Sequence, residues 1–356
     1  MKDEAVDIVF GGAGYGSVAQ RLLDGGMTAE SLRPYIGIDG RGYITVNSVR
    51  DGKRVQEAKL VTNALLTYDE WKEIDRAVKR IATLRLVAVQ DLIRRGLTYP
   101  LSDGLGTTIL QWQVSSDVSD ANVDMAGEAE GVEDRTAFDS KYLPLPIIHK
   151  DFRMNIRFIA MGRRLQQPLD TFEATAAARK VSERIETILF RGHSSYTFGG
   201  GTIYGYQDFP QRNTIALATQ WTAAGATGAT IVADVLAMKQ ASIDARHYGP
   251  FVLYIPVGYE TTIDEDYATN YGKTIRQRIL EIAGIEAVQV SDYLTAHNVV
   301  LVEMSPETVQ MVIGMEPQPV QWEEKGGMVV HHKVMAIMVP RLMADKDGKS
   351  GITHLS

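Results

Sequence analysis

The stretch DTFEATAAARKVSERIETILFRG, from Asp170 to Gly192, limits what this chain can fold into more than any other. Its apolar residues fall at Ala174, Ala178, Val181, Ile185 and Ile188, a 4-3-4-3 spacing that keeps one face of an α-helix dry. Asp170 is placed to accept from the free N–H groups of the first turn, and Glu173 reaches back in a capping box. Gly192 supplies the left-handed stop. A helix of about twenty residues spans roughly 30 Å, enough to be the spine of a domain. Burial of Phe172, Val181, Ile185 and Leu189 is expected to contribute about 1.5–3 kcal/mol each before entropy. The opposite face carries Glu173, Lys180, Arg184 and Arg191 and is expected to be wet or to meet a charged neighbour. No catalytic chemistry sits on this helix.

A chain of 356 residues has room for two or three subdomains around such a spine. Its formal charge of −7 leaves no basic reservoir for tight nucleic-acid binding. The absence of cysteine excludes disulfides, thiolate nucleophiles and cysteine-ligated zinc. The opening MKDEAVDIVFGG lacks the apolar core of a signal peptide, and no apolar run approaches the ~18–20 residues of a membrane span. These features describe a soluble protein made inside the cell.

Residues 1–66 read as an extended arm with little core of its own, punctuated by ten glycines and balanced between eight basic and eight acidic residues. Order in such an arm is expected to come from a neighbouring subunit. Thr67 and Glu70 form a second capping box, and Trp71, Ile74, Val78, Ile81, Ala88 and Leu92 extend one helical stripe to Gly96. Alternation at Thr108, Leu110, Trp112 and Val114 marks a strand, and a second is expected in 138–159, held to an edge or bulge by Pro144 and Pro146. Between them, residues 117–134 hold seven carboxylates (Asp117, Asp120, Asp124, Glu128, Glu130, Glu133 and Asp134) and no Lys or Arg. Such a tip is either a solvated hairpin end or a finger that docks on a basic neighbour. Beyond the spine, helices at 227–249 and 274–284 alternate with strands at 249–258, 285–294 and 297–304, the pattern of a compact α/β lobe. Two further strands, VQMVIGM and GGMVVHHKVMAIMVP, follow.

Motifs with chemical content fail on spacing. FGGAGYGS (Phe10–Ser17) lacks the two residues that a dinucleotide fingerprint needs between its second and third glycine. DGKSG (347–351) contains a phosphate-loop Gly-Lys-Ser, but Met343 stands where the first glycine belongs; as a calcium loop the same segment lacks the terminal glutamate. His331 and His332 are neighbours on a strand, point to opposite faces and cannot chelate together. Asp264, Glu265 and Asp266 read as a wet loop. Neither a metal nor a cofactor is implied, and no enzyme is expected.

The order of these pieces resembles the Hong Kong 97 capsid fold, and the words themselves resemble encapsulin shell proteins. The words are LLTYDEWKEIDRAVKRIA (65–82), ERIETILFRG (183–192), IYGYQDF (203–209), GPFVLYIPVGYE, IEAVQVSDYLTAHNVVLVEM and VQMVIGMEPQPVQW. The resemblance covers about 65–343 and implies an α+β chain with six parts. These are an N-terminal arm (1–66), peripheral-domain segments (67–107 and 151–212, with the spine helix), an extended loop (108–150) reaching over an adjacent subunit, an axial domain (213–322), and a final peripheral strand with a C-terminal tail (323–356). It further implies an axis loop of Asp264, Glu265, Asp266, Tyr267, Asn270 and Tyr271; for the acidic tip, charge alone makes Arg153, Arg157, Arg163, Arg164, Lys180 and Arg184 of a neighbouring subunit the candidate contacts. Encapsulins start almost at the first helix, whereas tailed-phage major capsid proteins carry an arm such as residues 1–66. The resemblance therefore implies a virion protein, assembled in the host cytoplasm as pentamers and hexamers around double-stranded DNA without sequence-specific contacts. Portal, scaffold or decoration proteins would be further partners. An encapsulin compartment enclosing cargo enzymes is the alternative, and a nucleotide-dependent enzyme using the Gly-rich N-terminus a distant one.

Overall fold

The computed structural model describes residues 33, 35–38, 41–50, 53–61, 66–115, 138–155, 157, 161, 164, 172–268, 272–323, 329–345 and 348–356. The arm contributes β1 (Tyr35–Ile36), β2 (Gly42–Arg50) and β3 (Lys53–Val61), which join β4 (Leu66–Thr67) in a sheet of order β3-β2-β1-β4. Strands β2 and β3 pair antiparallel along their whole length, so part of the expected arm is a hairpin. Its sequence signal is Asp51-Gly52 between two strand-like runs, the dipeptide that favours a tight turn.

Helix α1 (Tyr68–Arg85) opens on the expected capping box. Thr67 N donates to Glu70 Oε2 at 2.8 Å, and Glu70 N donates to Thr67 Oγ1 at 3.3 Å. Trp71, Ile74 and Val78 bury its inner face. The helix does not run on to Gly96. It breaks at Leu86, whose φ of −90° and ψ of 72° leave the helical region, and α2 (Val87–Arg94) restarts on a new axis. The apolar stripe crosses this break unmarked because neither Pro nor Gly signals it.

Four strands follow: β5 (Thr98–Pro100), β6 (Ile109–Ser115), β7 (Phe138–Pro144) and β8 (Ile148–Asn155). Among the described residues β6 and β7 form a two-stranded sheet, paired from Ile109↔Pro144 to Ser115↔Phe138. Strand β8 is the edge of a second sheet, as Pro144 and Pro146 require of the segment entering it.

The spine helix, α3 (Phe172–Arg191), buries Ala174, Ala178, Val181, Ile185, Ile188 and Leu189 and exposes Glu173, Lys180, Arg184 and Arg191. Phe172 departs from expectation: at 75 % exposure it stands on the first turn outside the core. The Asp170 cap lies outside the described residues. Gly192 has φ 65°, and a Cβ there would lie 2.6 Å from Gly205 N and from the Asp208 carboxylate. Only glycine ends the spine at this point.

The remaining elements are β9 (His193–Phe198), β10 (Gly201–Ile203), β11 (Asn213–Ile215), α4 (Gly228–Asp244), β12 (Phe251–Pro256), α5 (Glu260–Ile263), α6 (Ile275–Leu280), β13 (Ile285–Ser291), β14 (Val299–Glu303), β15 (Val309–Glu323), β16 (Val329–Leu342) and β17 (Ile352–Leu355). Helix α6 stops at Leu280, short of the expected Gly284. Strands β5-β15-β16-β8 form the sheet on which α1 and α3 pack. The loop after β5 crosses β15 where a Cβ on Gly104 would fall 2.0 Å from Gly314 O, an approach open only to glycine.

The α/β lobe is a five-stranded sheet of order β11-β17-β14-β12-β13. Val252, Tyr254, Val300, Val302 and Ile352 face the core of the spine, whereas Phe251, Leu253, Ile255, Val299, Leu301 and Leu355 face the separate core beneath α4 and α6. Covered on both sides, β12 has no wet face, which is why FVLYIP is an unbroken apolar run. Residues 352–355, expected in a tail, are an inner strand of this sheet, and β15, expected within the lobe, pairs with β5 and β16 instead.

Candidate functional site

The candidate sites among the described residues are surfaces and one groove. The seven carboxylates Asp117, Asp120, Asp124, Glu128, Glu130, Glu133 and Asp134 lie outside the described residues, as do Arg163, Asn270 and Tyr271. The hairpin that would carry the acidic tip is described at its root, where the Arg341 guanidinium stacks 4.6 Å from the Trp112 ring and donates to Gln310 Oε1 at 3.1 Å. Between this root, the β9–β10 hairpin and residues 340–348 runs a groove of about 590 Å³, lined by Trp112, Phe138, Tyr142, Tyr204, Phe209 and Met343 among others. Phe138 and Phe198 are 67 % and 51 % exposed nearby.

Of the basic candidates, Arg153 is exposed on edge strand β8 opposite His331, and Arg157 and Arg164 are exposed on helical backbone. Lys180 and Arg184 project from the outer face of α3. Lys180 Nζ is 2.7 Å from Glu183 Oε2, so its charge is partly satisfied within the helix.

In the loop expected at a symmetry axis, Asp264 is clamped by Arg276, with Nε at 2.6 Å and the second nitrogen at 3.2 Å from its two oxygens. Asp266 pairs with Thr274 in a bridge, and Tyr267 N donates to Lys273 O at 2.9 Å. Glu265 and Asp266 are exposed. The arrangement is a closed, ion-paired loop rather than three convergent carboxylates, and among the described residues no three His, Asp or Glu side chains gather as a metal site.

Sequence reasoning missed two interior carboxylates, Glu186 and Glu303. Glu186, wholly buried in α3, accepts from Ala88 N at 2.6 Å and Val89 N at 3.4 Å. Burial pushes its carboxyl up to about 7, against the pull of those two N–H groups. The signal was available, because on a helical wheel Glu186 falls between Ser182 and Phe190, both buried. The second group is Glu303, which accepts from His247 Nδ1 at 2.5 Å, Thr308 Oγ1 at 2.7 Å and Gly249 N at 3.1 Å. Burial works to raise its carboxyl, but these donors outweigh it and hold the carboxyl low, while the same bond raises His247. Both groups brace the fold, and neither lines the groove at the hairpin root.

The comparisons agree with this architecture. The chain is 25% identical over 254 residues to the type 1 encapsulin shell protein EncA of Myxococcus xanthus, covering 70% of this chain and 81% of that protein. It is 26% identical over 160 residues to a diheme-cytochrome-encapsulin shell fusion protein of Kuenenia stuttgartiensis, covering 45% of this chain and 42% of that one. Among solved structures it superimposes on a virus-like particle from Pyrococcus furiosus with a TM-score of 0.58 and 16% identity, covering 80% of this chain and 99% of that one. The capsid of Myoviridae phage XM1 matches with a TM-score of 0.55 and 10% identity, over 74% of this chain and 90% of that one. The fold is therefore the Hong Kong 97-like capsid fold, with an encapsulin-like sequence. A family model described as a family of unknown function, DUF6260, matches residues 60–355, and the chain belongs to that family.

Proposed function

We propose that this chain is the major capsid protein of a tailed phage, a structural rather than catalytic protein that self-assembles into an icosahedral shell around double-stranded DNA. The observation that carries the choice of a virion is the surplus chain. The Pyrococcus furiosus particle protein is matched over 99% of its length by only 80% of this one. Residues 1–59 lie before the family match, and part of them is built onto α1: β1 pairs with β4, and Arg33 stacks 4.6 Å from the Trp71 ring while pairing with Asp75 at 2.6 Å. An arm seated on the first helix is suited to clamp subunits of a large shell.

In this reading residues 67–107, 151–212 and 309–343 form a peripheral domain, 108–150 an extended loop, and 213–308 with 352–355 an axial domain. The acidic tip of one subunit docks on Arg153, Arg157, Arg163, Arg164, Lys180 and Arg184 of the next, and the loop of residues 264–271 lines a symmetry-axis pore. Portal, scaffold and decoration proteins are partners in the same scheme. An encapsulin compartment is the second reading, favoured by the similarity to EncA. Electron microscopy of native particles with analysis of their contents tests both. Nuclease-protected double-stranded DNA supports the capsid, a packaged enzyme supports the encapsulin, and a protein that never forms closed particles overturns both.

A further inference from the structure

Helix α2 begins without a cap of its own, because its N-cap residue, Leu86, offers no side-chain acceptor. Glu186, 98 positions beyond Ala88 and on α3, supplies the missing oxygens to the second and third amides of the helix, Ala88 at 2.6 Å and Val89 at 3.4 Å. The carboxylate is fully shielded from water. Its surroundings form a chain of polar groups from the spine into the α/β lobe. Tyr206, from the turn after the spine, is buried, and its hydroxyl has no hydrogen-bond partner among the described residues. Its ring stacks on Tyr254 of β12 at 6.1 Å. The Tyr254 hydroxyl donates to Asp91 Oδ2 of α2 at 3.3 Å. Arg95 lies 3.7 Å from Asp91 and 2.5 Å from Glu286 of β13. The other elements against the spine present Trp71, Ile74 and Val78 from α1, and Phe152 and His332 from β8 and β16; Asp208 closes the turn after the spine.

We propose that Glu186 is a proton-operated latch: ionised, it caps α2 through Ala88 and Val89; protonated, it releases Val89 and turns its O–H to the Tyr206 hydroxyl. Because Tyr254 and Asp91 belong to the same cluster, the latch sets how firmly the lobe is held against the spine. Among the described residues no cation lies against Glu186, and its charge acts on both Tyr206 and Tyr254. With its carboxyl at about 7, the two arrangements exchange near neutrality. The folded value exceeds the ordinary 4.5, so the stabilising contribution is complete below about pH 4.5 and is lost as pH rises through about 7. The latch is independent of whether the shell holds DNA or cargo.

The test compares the full-length protein with Glu186→Gln and Tyr206→Phe between pH 5 and 9. Hydrogen exchange of peptides covering 86–95, corrected for intrinsic rates, reads the α2 amides, and thermal midpoints read the whole subunit. The wild-type protein is expected to change α2 protection with a midpoint near pH 7 and to lose roughly a hundredfold in folding equilibrium across the transition. Glu186→Gln is expected to show a flat profile and to be the more stable of the two above pH 8. Tyr206→Phe keeps the carboxylate but removes the hydroxyl, and is expected to move the midpoint to lower pH. A flat wild-type profile, or the same profile in Glu186→Gln, overturns the proposal. If Glu186→Gln does not fold, an unchanged midpoint in Tyr206→Phe overturns it.

Discussion

Arg191 Nε lies 2.7 Å from the carbonyl oxygen of Tyr293, and the same guanidinium reaches Leu294 O at 3.1 Å. The last residue of the spine helix thus holds a loop of the α/β lobe by two charge-assisted bonds. Arg191→Ala is expected to cost about 1 kcal/mol, toward the low end for bonds to a charged group because the side chain is solvent-accessible. Arg191→Lys should recover part of it. Urea unfolding of the isolated subunit measures both; equal midpoints for all three proteins would remove this contact from the account.

On the spine itself the two faces are expected to respond oppositely. Ile185 is wholly buried, and Ile185→Asp places an unpaired carboxylate in the core at a cost of several kcal/mol, on the order of a small domain's stability. Soluble subunit should be lost. Arg184→Gln, on the exposed face, should change stability by less than about 0.5 kcal/mol. Solubility and thermal midpoints of the two variants decide the matter.

His332 sits between Phe152, stacked at 5.1 Å, and Trp71, edge-on at 5.9 Å, and neither ring nitrogen has a partner among the described residues. Burial, with a smaller push from His331, lowers its pKa to about 4. The unfolded chain therefore takes up a proton at about 6.5 that the folded chain refuses, and stability falls as pH drops from about 6.5 toward 4. His354, lowered to about 4 by burial and then by Arg212, acts in the same direction. His332→Phe should flatten part of this acid limb, since an apolar ring leaves no unpaired polar atoms behind. Thermal midpoints from pH 4 to 7 should diverge most at the acid end; parallel curves would refute the assignment.

Exposed ion pairs are worth about 0.2–1 kcal/mol each and are screened beyond ~8–10 Å, yet a closed shell repeats each of them many times. Replacing Glu128, Glu130, Glu133 and Asp134 by their amides should therefore reduce particle yield, most clearly at low salt. Yield against ionic strength for the two proteins provides the measurement. Superimposable curves would leave the tip as a solvated loop.

What the sequence made legible were elements whose neighbours in space are also neighbours in sequence. Thr67 and Glu70 cap α1 three residues apart, and the 4-3-4-3 stripe of the spine reports its own burial. What escaped depended on distant partners. The break at Leu86 is capped by Glu186, a residue whose burial shows only when the buried arc is drawn as far as Phe190. Phe172 is as apolar as Phe190, but the first turn of the spine overhangs the core. The hairpin of residues 42–61 was announced by Asp51-Gly52 and overlooked because glycine is frequent throughout that region. The surfaces expected to join subunits fall largely on residues 116–137 and 269–271, outside the described chain.

Strand β17 gives the lobe an unusual order of completion. Val299 of β14 pairs with Leu355, and Asn213 of β11 bonds to Ser350 and Thr353, so both strands wait for a partner synthesised roughly 50 and 140 residues later. While translation proceeds, the sheet stands open where residues 352–355 will insert. Until residues 352–355 insert between β11 and β14, the lobe lacks an inner strand, and the two sheet edges that β17 covers stay unpaired.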